Sequence, residues 1–197
     1  MSASAVELGA GDVLIVADVQ KDFLAGGSLA VPEGDRVVPV LNRYLTAFTG
    51  RGLPIFLSRC WHPPDHCSFR ERGGPWPRHC VAGTPGAEFA EGFDIPRAAV
   101  IVSKATRRDR DAYSAFEGTE LHENLRRVAA RRLFVGGLTT DYCILNTVRD
   151  ARARGYPTFV LGDGIRAVNV QPDDGRKAEE EMASRGATFI RLESLAA

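Results

Sequence analysis

The chain has 197 residues, 44% of them hydrophobic and 25% charged, which suits one compact soluble domain with its own apolar core. Lys and Arg total 25, as do Asp and Glu, so the formal net charge is zero; a nucleic-acid or membrane-surface partner would favour a basic excess, and neither is expected. No apolar run approaches the roughly 20 residues of a membrane span.

Residues 1–11 lack the basic start and apolar core of a secretory signal, so they read as a mobile tail on a cytoplasmic protein. Asp12–Ala17 is then an apolar strand, buried on both faces, that ends at Asp18. Helical apolar spacing over 36–48 follows, with Asp35 placed as N-cap and Gly52 just past the end. A second strand covers 54–58. The segment 59–96 is rich in Pro and Gly and almost without periodicity, yet it holds three of the four His and both Trp; a structureless stretch this long is usually functional. A third strand at 100–102 runs to Lys104, a helix is predicted over 120–131, and a fourth strand at 133–135 runs into Gly136-Gly137. A helix over 140–154 closed by Gly155, a strand at 158–161, a helix over 173–185 and a strand at 188–190 complete the chain. This alternation predicts a single α/β domain, a three-layer αβα arrangement around a six-stranded parallel sheet. In such sheets the site lies at the carboxyl ends of the strands, where Asp18, Lys104 and the turn before Cys143 all fall.

The four cysteines (Cys60, Cys67, Cys80, Cys143) are expected as free thiols in a reducing compartment, usable as nucleophile or metal ligand. Cys143 follows a strand that breaks at two glycines and turns into a helix. A thiol in the first turn feels the positive helix end, which favours thiolate, and the unpartnered N–H groups there can hold an oxyanion. By position alone it reads equally well as a small buried hydrophobe. Asp18 and Lys104 favour the nucleophile: opposite charges at buried strand ends, converging on a thiol, can take its proton and balance its charge. Their alternative is a structural ion pair.

Asp18-Val19-Gln20-Lys21-Asp22-Phe23, the Lys104 strand end and Gly137-Leu138-Thr139-Thr140-Asp141-Tyr142-Cys143 together resemble the isochorismatase-like cysteine hydrolases, over about residues 12–192. The resemblance implies a catalytic triad of Asp18, Lys104 and Cys143, a cis peptide before Thr139, and an oxyanion hole from the N–H groups of Thr139 and Cys143. The stretch Cys60 to Phe69, with Gly74 to Cys80, looks like the metal loop of the nicotinamidases in that family. It implies His62, His66 and His79 as ligands of a divalent metal (Zn2+, with Mn2+ or Fe2+ as alternatives) that binds the pyridine nitrogen of nicotinamide. Cys60 stands where those enzymes carry Asp, and is either a fourth, zinc-favouring ligand or leaves three His and water. Phe23, Leu29, Trp76 and Tyr113 match the pocket wall, each also readable as core. His122 reads as solvated surface, and so does the charged segment 105–111, whose alternative is the rim of the pocket or a contact with a partner subunit.

The expected activity is hydrolysis of nicotinamide, and of pyrazinamide, to the acid and ammonia in NAD salvage, through a Cys143 thioester. The alternatives are a metal-free amidase acting on a carbamoyl or ureido compound and a catalytically silent metal-binding protein. A homo-oligomer is compatible with the sequence.

Overall fold

A computed structural model describes residues 5–196. Six strands form one sheet, β1 (Asp12–Ala17), β2 (Ile55–Cys60), β3 (Val100–Lys104), β4 (Arg132–Leu138), β5 (Thr158–Arg166) and β6 (Thr188–Ile190), in the order β3-β2-β1-β4-β5-β6. Every pairing is parallel. Alternation along β1 shows how two cores are made. Leu14 and Val16 meet Leu41, Tyr44, Leu45 and Phe48 of helix α1 (Val37–Thr49), and the long segment after β2 extends that side with Ala87, Ala90 and Phe93. Val13, Ile15 and Ala17 point the other way, onto α2 (Leu121–Arg127), α3 (Leu145–Ala153) and α4 (Asp174–Ser184). The αβα layering expected from the alternation is therefore present. Among the described residues no helix is long and apolar enough to cross a membrane.

The chain builds outward from β1 to β3, then returns to the centre and builds the other way from β4. The crevice between the ends of β1 and β4 is the switch point of the sheet, where open α/β folds bind ligands. Gly137 makes the two strands fit there. Its φ is +118°, and a Cβ on it would stand 2.0 Å from the Ala17 carbonyl oxygen.

Four local readings differ from the sequence-based ones. Residues 1–4 lie outside the described residues, but Val6, expected in a mobile tail, is docked: its N–H donates to Ser194 O at 2.7 Å and its carbonyl accepts from Ala196 N–H at 3.0 Å. Asp35 does not cap α1, because a 3-10 turn (Gly34–Arg36) precedes the helix and the Asp35 carboxylate accepts the Ala25 N–H. The helix over 120–131 stops at Arg127, and Ala129 takes a left-handed φ of 50°. The helix expected from 140 opens as a π turn (Thr140–Ile144) and becomes α-helical at Leu145.

Candidate active site

Asp18 and Ala105, the residues directly after β1 and β3, both take left-handed φ values (54° and 53°), so the two strands stop abruptly at the same end of the sheet. That end carries the charges. Lys104 Nζ lies 3.0 Å from Asp18 Oδ2, with both side chains fully out of solvent. The other Asp18 oxygen accepts from Ser58 Oγ at 2.8 Å. Lys104 also donates to Ala112 O (3.3 Å), Cys60 Sγ (2.9 Å) and Cys143 Sγ (3.4 Å). Burial alone would lower the Lys104 pKa, but Asp18, Cys143 and Cys60 around it push it well above the ordinary lysine value. The ammonium is permanent, and a buried cluster with one cation tolerates one anion.

The Leu138–Thr139 peptide is cis. Beyond it, the N–H groups of Tyr142 and Ile144 fold back onto Thr139 O at 3.3 and 3.0 Å, bracketing Cys143. The expectation that this position favours thiolate is reversed. Contact with Cys60 and burial raise the Cys143 pKa well above that of a free thiol; Lys104 opposes the rise and Asp18 adds to it. At rest Cys143 keeps its proton, and the Asp18 carboxylate is the partner of Lys104. Moving that proton from Cys143 to Asp18 leaves the net charge around Lys104 unchanged, so the transfer needs no new counter-ion.

Cys60 falls in this cluster and not among the histidines. Its sulfur, Asp18 and Cys143 all lie within 4.8 Å of one another, and its thiol reaches Asp18 Oδ2 at 3.7 Å. The reason is covalent geometry. Cys60 ends β2 in register with Lys104, so its side chain shares the face of that ammonium.

The three histidines of the loop do converge. The ring of His62 lies 4.5 Å from that of His66 and 4.6 Å from that of His79, over Phe69. Nδ1 of His62 sits 2.9 Å from His79 O, and Nδ1 of His79 sits 2.8 Å from Pro77 O. A carbonyl only accepts, so both rings carry their proton on Nδ1 and present a bare Nε2. Burial lowers the His62 pKa to about 2, with His79 adding to the shift, and burial lowers that of His79 too. Neutral imidazoles oriented by Nδ1–H to a carbonyl are what a divalent metal requires, so these residues fit one. His66 is engaged at both nitrogens, Nε2 donating to Arg110 O at 3.1 Å and Nδ1 accepting from Ser68 Oγ at 2.7 Å, so unlike the other two it binds a metal only by giving up one of these bonds.

Cys143, His62 and His79 line one cavity with about 390 Å³ of empty space. Phe23, Leu29, Trp76 and Tyr113, the four predicted wall residues, all line it, with Cys60, Asp111, Thr139, Tyr142 and Val168. Trp76 Nε1 donates to Tyr113 Oη at 2.9 Å, and both rings pack on Tyr142.

The sequence matches the Isochorismatase domain over residues 12–194. The chain belongs to the isochorismatase family. It is 38% identical to the nicotinamidase of Escherichia coli (strain K12), over 91% of this chain and 94% of that one. The pyrazinamidase of Pyrococcus horikoshii in complex with zinc superposes with a TM-score of 0.89 at 47% identity, covering 92% of this chain and 99% of that chain. PnC1 from L. infantum in complex with nicotinate gives a TM-score of 0.91 at 34% identity, covering 98% and 99%.

Several site residues of this isochorismatase-family chain escaped the sequence reading. Ser58 holds Asp18, and Gln20 clamps Cys60, accepting its N–H and donating to its carbonyl, both at 2.8 Å. A fully buried polar residue at a strand end was the available signal. Tyr142 carried no signal beyond adjacency to the Cys143 motif. The segment 105–111, read as solvated surface with the pocket rim as its alternative, keeps Arg107 to Arg110 exposed and brings Asp111 to the cavity. His122 is half-buried and not solvated: its ring lies 6.2 Å from that of Tyr156, and its Nδ1 is buried.

Proposed function

We propose that this protein hydrolyses nicotinamide to nicotinate and ammonia, and pyrazinamide likewise, as a cytoplasmic step of NAD salvage. The observation that carries the reading is one small aromatic cavity that joins the Asp18–Lys104–Cys143 cluster to imidazoles with bare nitrogens. A carboxamide belongs at the first end and a pyridine nitrogen at the second. The nicotinamidase and pyrazinamidase relatives support that substrate class, and the four unpaired cysteines accord with a reducing compartment.

Asp18 takes the Cys143 proton as the sulfur attacks the carboxamide carbon, with the Lys104 ammonium balancing the charge that moves from carboxylate to thiolate. The N–H groups of Thr139 and Cys143 hold the oxyanion. The C–N bond breaks as the proton passes from Asp18 to nitrogen, releasing ammonia and leaving a thioester. Asp18 then takes a proton from water as the hydroxide equivalent adds to the thioester carbon, and the C–S bond breaks as Asp18 returns that proton to the Cys143 sulfur, releasing nicotinic acid, which ionises to nicotinate. Phe23, Leu29, Trp76 and Tyr113 enclose the ring and exclude bulk water. His62, His66 and His79 would hold the metal, zinc by preference for imidazole, and such an ion supplies an electrophile that orients the ring nitrogen.

Ammonia release measured across nicotinamide, pyrazinamide and a panel of ureido compounds tests the reading. Turnover of the two ring amides above the ureido compounds is expected; the reverse order would assign a carbamoyl amidase instead.

A further inference from the structure

The cysteine beside the imidazole cluster in sequence is committed elsewhere. Gln20 clamps the Cys60 backbone from both sides, and Lys104 Nζ holds its sulfur at 2.9 Å. As a thiolate Cys60 would place a second anion beside Asp18 on one ammonium.

A carboxylate reaches the cluster from a different element. The segment after β3 is stitched to the histidine loop at three points. Cys67 N–H donates to Arg108 O at 2.9 Å, Arg108 Nε pairs with Asp65 at 2.6 Å, and His66 Nε2 meets Arg110 O at 3.1 Å. These contacts carry Asp111 to where its carboxylate and a nitrogen each of His62 and His66 lie within 4.8 Å of one another. Asp111 is half-buried on the cavity wall. Arg107 and Arg108 pair with Asp109 and Asp65, and among the described residues no cation stands within 4.0 Å of Asp111. The Asp111 carboxylate accepts the Ala112 N–H at 2.9 Å and, among the described residues, has no cationic side chain beside it, so carboxylate oxygen and imidazole nitrogen converge as a donor set that a divalent ion would complete.

We propose that Asp111 is a metal ligand, joining the imidazoles of His62, His66 and His79 in a carboxylate-and-imidazole site for a divalent cation in which Cys60 takes no part. The proposal rests on the metal reading of the histidine loop given above. It changes what that site selects. An oxygen-and-nitrogen donor set admits Zn2+, Mn2+ and Fe2+, whereas a thiolate would have narrowed it towards zinc.

The test is metal binding to the full-length protein by equilibrium dialysis against Zn2+ and Co2+, with elemental analysis. Four forms are compared: wild type, Asp111→Asn, Cys60→Ser and His62→Ala, each checked for fold by circular dichroism. Wild type should hold about one ion per chain, Asp111→Asn should bind at least about tenfold more weakly, and Cys60→Ser should match wild type. The Co2+ form of wild type should show no sulfur-to-cobalt charge-transfer absorption. Weak binding by Cys60→Ser beside normal binding by Asp111→Asn, or a charge-transfer band lost in Cys60→Ser, would overturn the assignment. Wild type that binds no better than His62→Ala would remove the metal reading itself, and the ligand assignment with it. Asp111→Glu, which keeps the charge, should recover part of the affinity; recovery absent in a folded variant also counts against a ligand role.

Discussion

Cys60 Sγ lies 2.9 Å from Lys104 Nζ, closer to the ammonium than Cys143 Sγ at 3.4 Å. Two thiols thus share one cation and one carboxylate. Contact with Cys60 is the leading influence raising the Cys143 pKa. Removing it in Cys60→Ala should shift the pH dependence of Cys143 alkylation to lower pH. A profile of alkylation rate against pH, read by mass spectrometry, checks this; an unshifted or upward-shifted profile would show that Cys60 does not act on the nucleophile.

Cys143→Ala should abolish ammonia release while its circular dichroism stays that of wild type. Nicotinate, occupying the cavity, should slow alkylation of Cys143 and leave the half-exposed Cys67 unaffected. Activity above a few per cent in the Ala variant would sink the nucleophile assignment.

Asp18→Asn should lower turnover on the order of 10²-fold or more, the scale of a lost general base. Lys104→Met strands the Asp18 carboxylate in the core, so it should also destabilise the protein by about 3–5 kcal/mol. The double variant Asp18→Asn/Lys104→Met should recover stability without recovering activity. Denaturant melts and single-turnover rates separate the two effects. Recovered activity in the double variant would mean the pair is structural.

Gly137→Ala should cost roughly 3 kcal/mol or more, because φ is +118° and the new Cβ would meet Ala17 O at 2.0 Å. For a protein of this size that is a fall in Tm of at least about 6 °C. Gly52→Ala is the control. Gly52 also has a positive φ (64°) but nothing within 4 Å, so its cost should stay near 1 kcal/mol. Equal losses in the two variants would refute the close approach of β4 to β1.

Glu181 joins α3 to α4 through Arg149 and is also bonded by Arg185. Arg149 first and Arg185 second lower its pKa from 4.5 to about 2. The folded value lies below the unfolded one, so the stabilisation is full above pH 4.5 and is lost as pH falls towards 2. With side chains 31–49% exposed the contribution is modest, under about 1 kcal/mol. Glu181→Gln should therefore lower stability at pH 7 and narrow its gap to wild type near pH 2. A constant gap across that range would contradict the linkage.

The fold class was legible because strands buried on both faces, such as Asp12–Ala17, leave short apolar runs that alternate along the chain with longer segments of helical spacing. Asp18, Lys104 and Cys143 were legible for the same reason, as polar groups at the ends of such runs. What the sequence left undecided was direction. Whether Cys60 faces the histidines or the lysine depends on the register of β2 against β3, which sets its sulfur beside Lys104. Whether Cys143 rests as thiol or thiolate depends on how many charges three separate strands bring within one buried cluster. Asp111, the last residue of an apparently solvated run, enters the cavity because a distant loop hydrogen-bonds the segment before it. Local pattern encodes which elements form and where they end; the contacts between strand ends far apart in sequence exist only once the sheet is assembled, and those contacts set the charge state and ligand choice of the site.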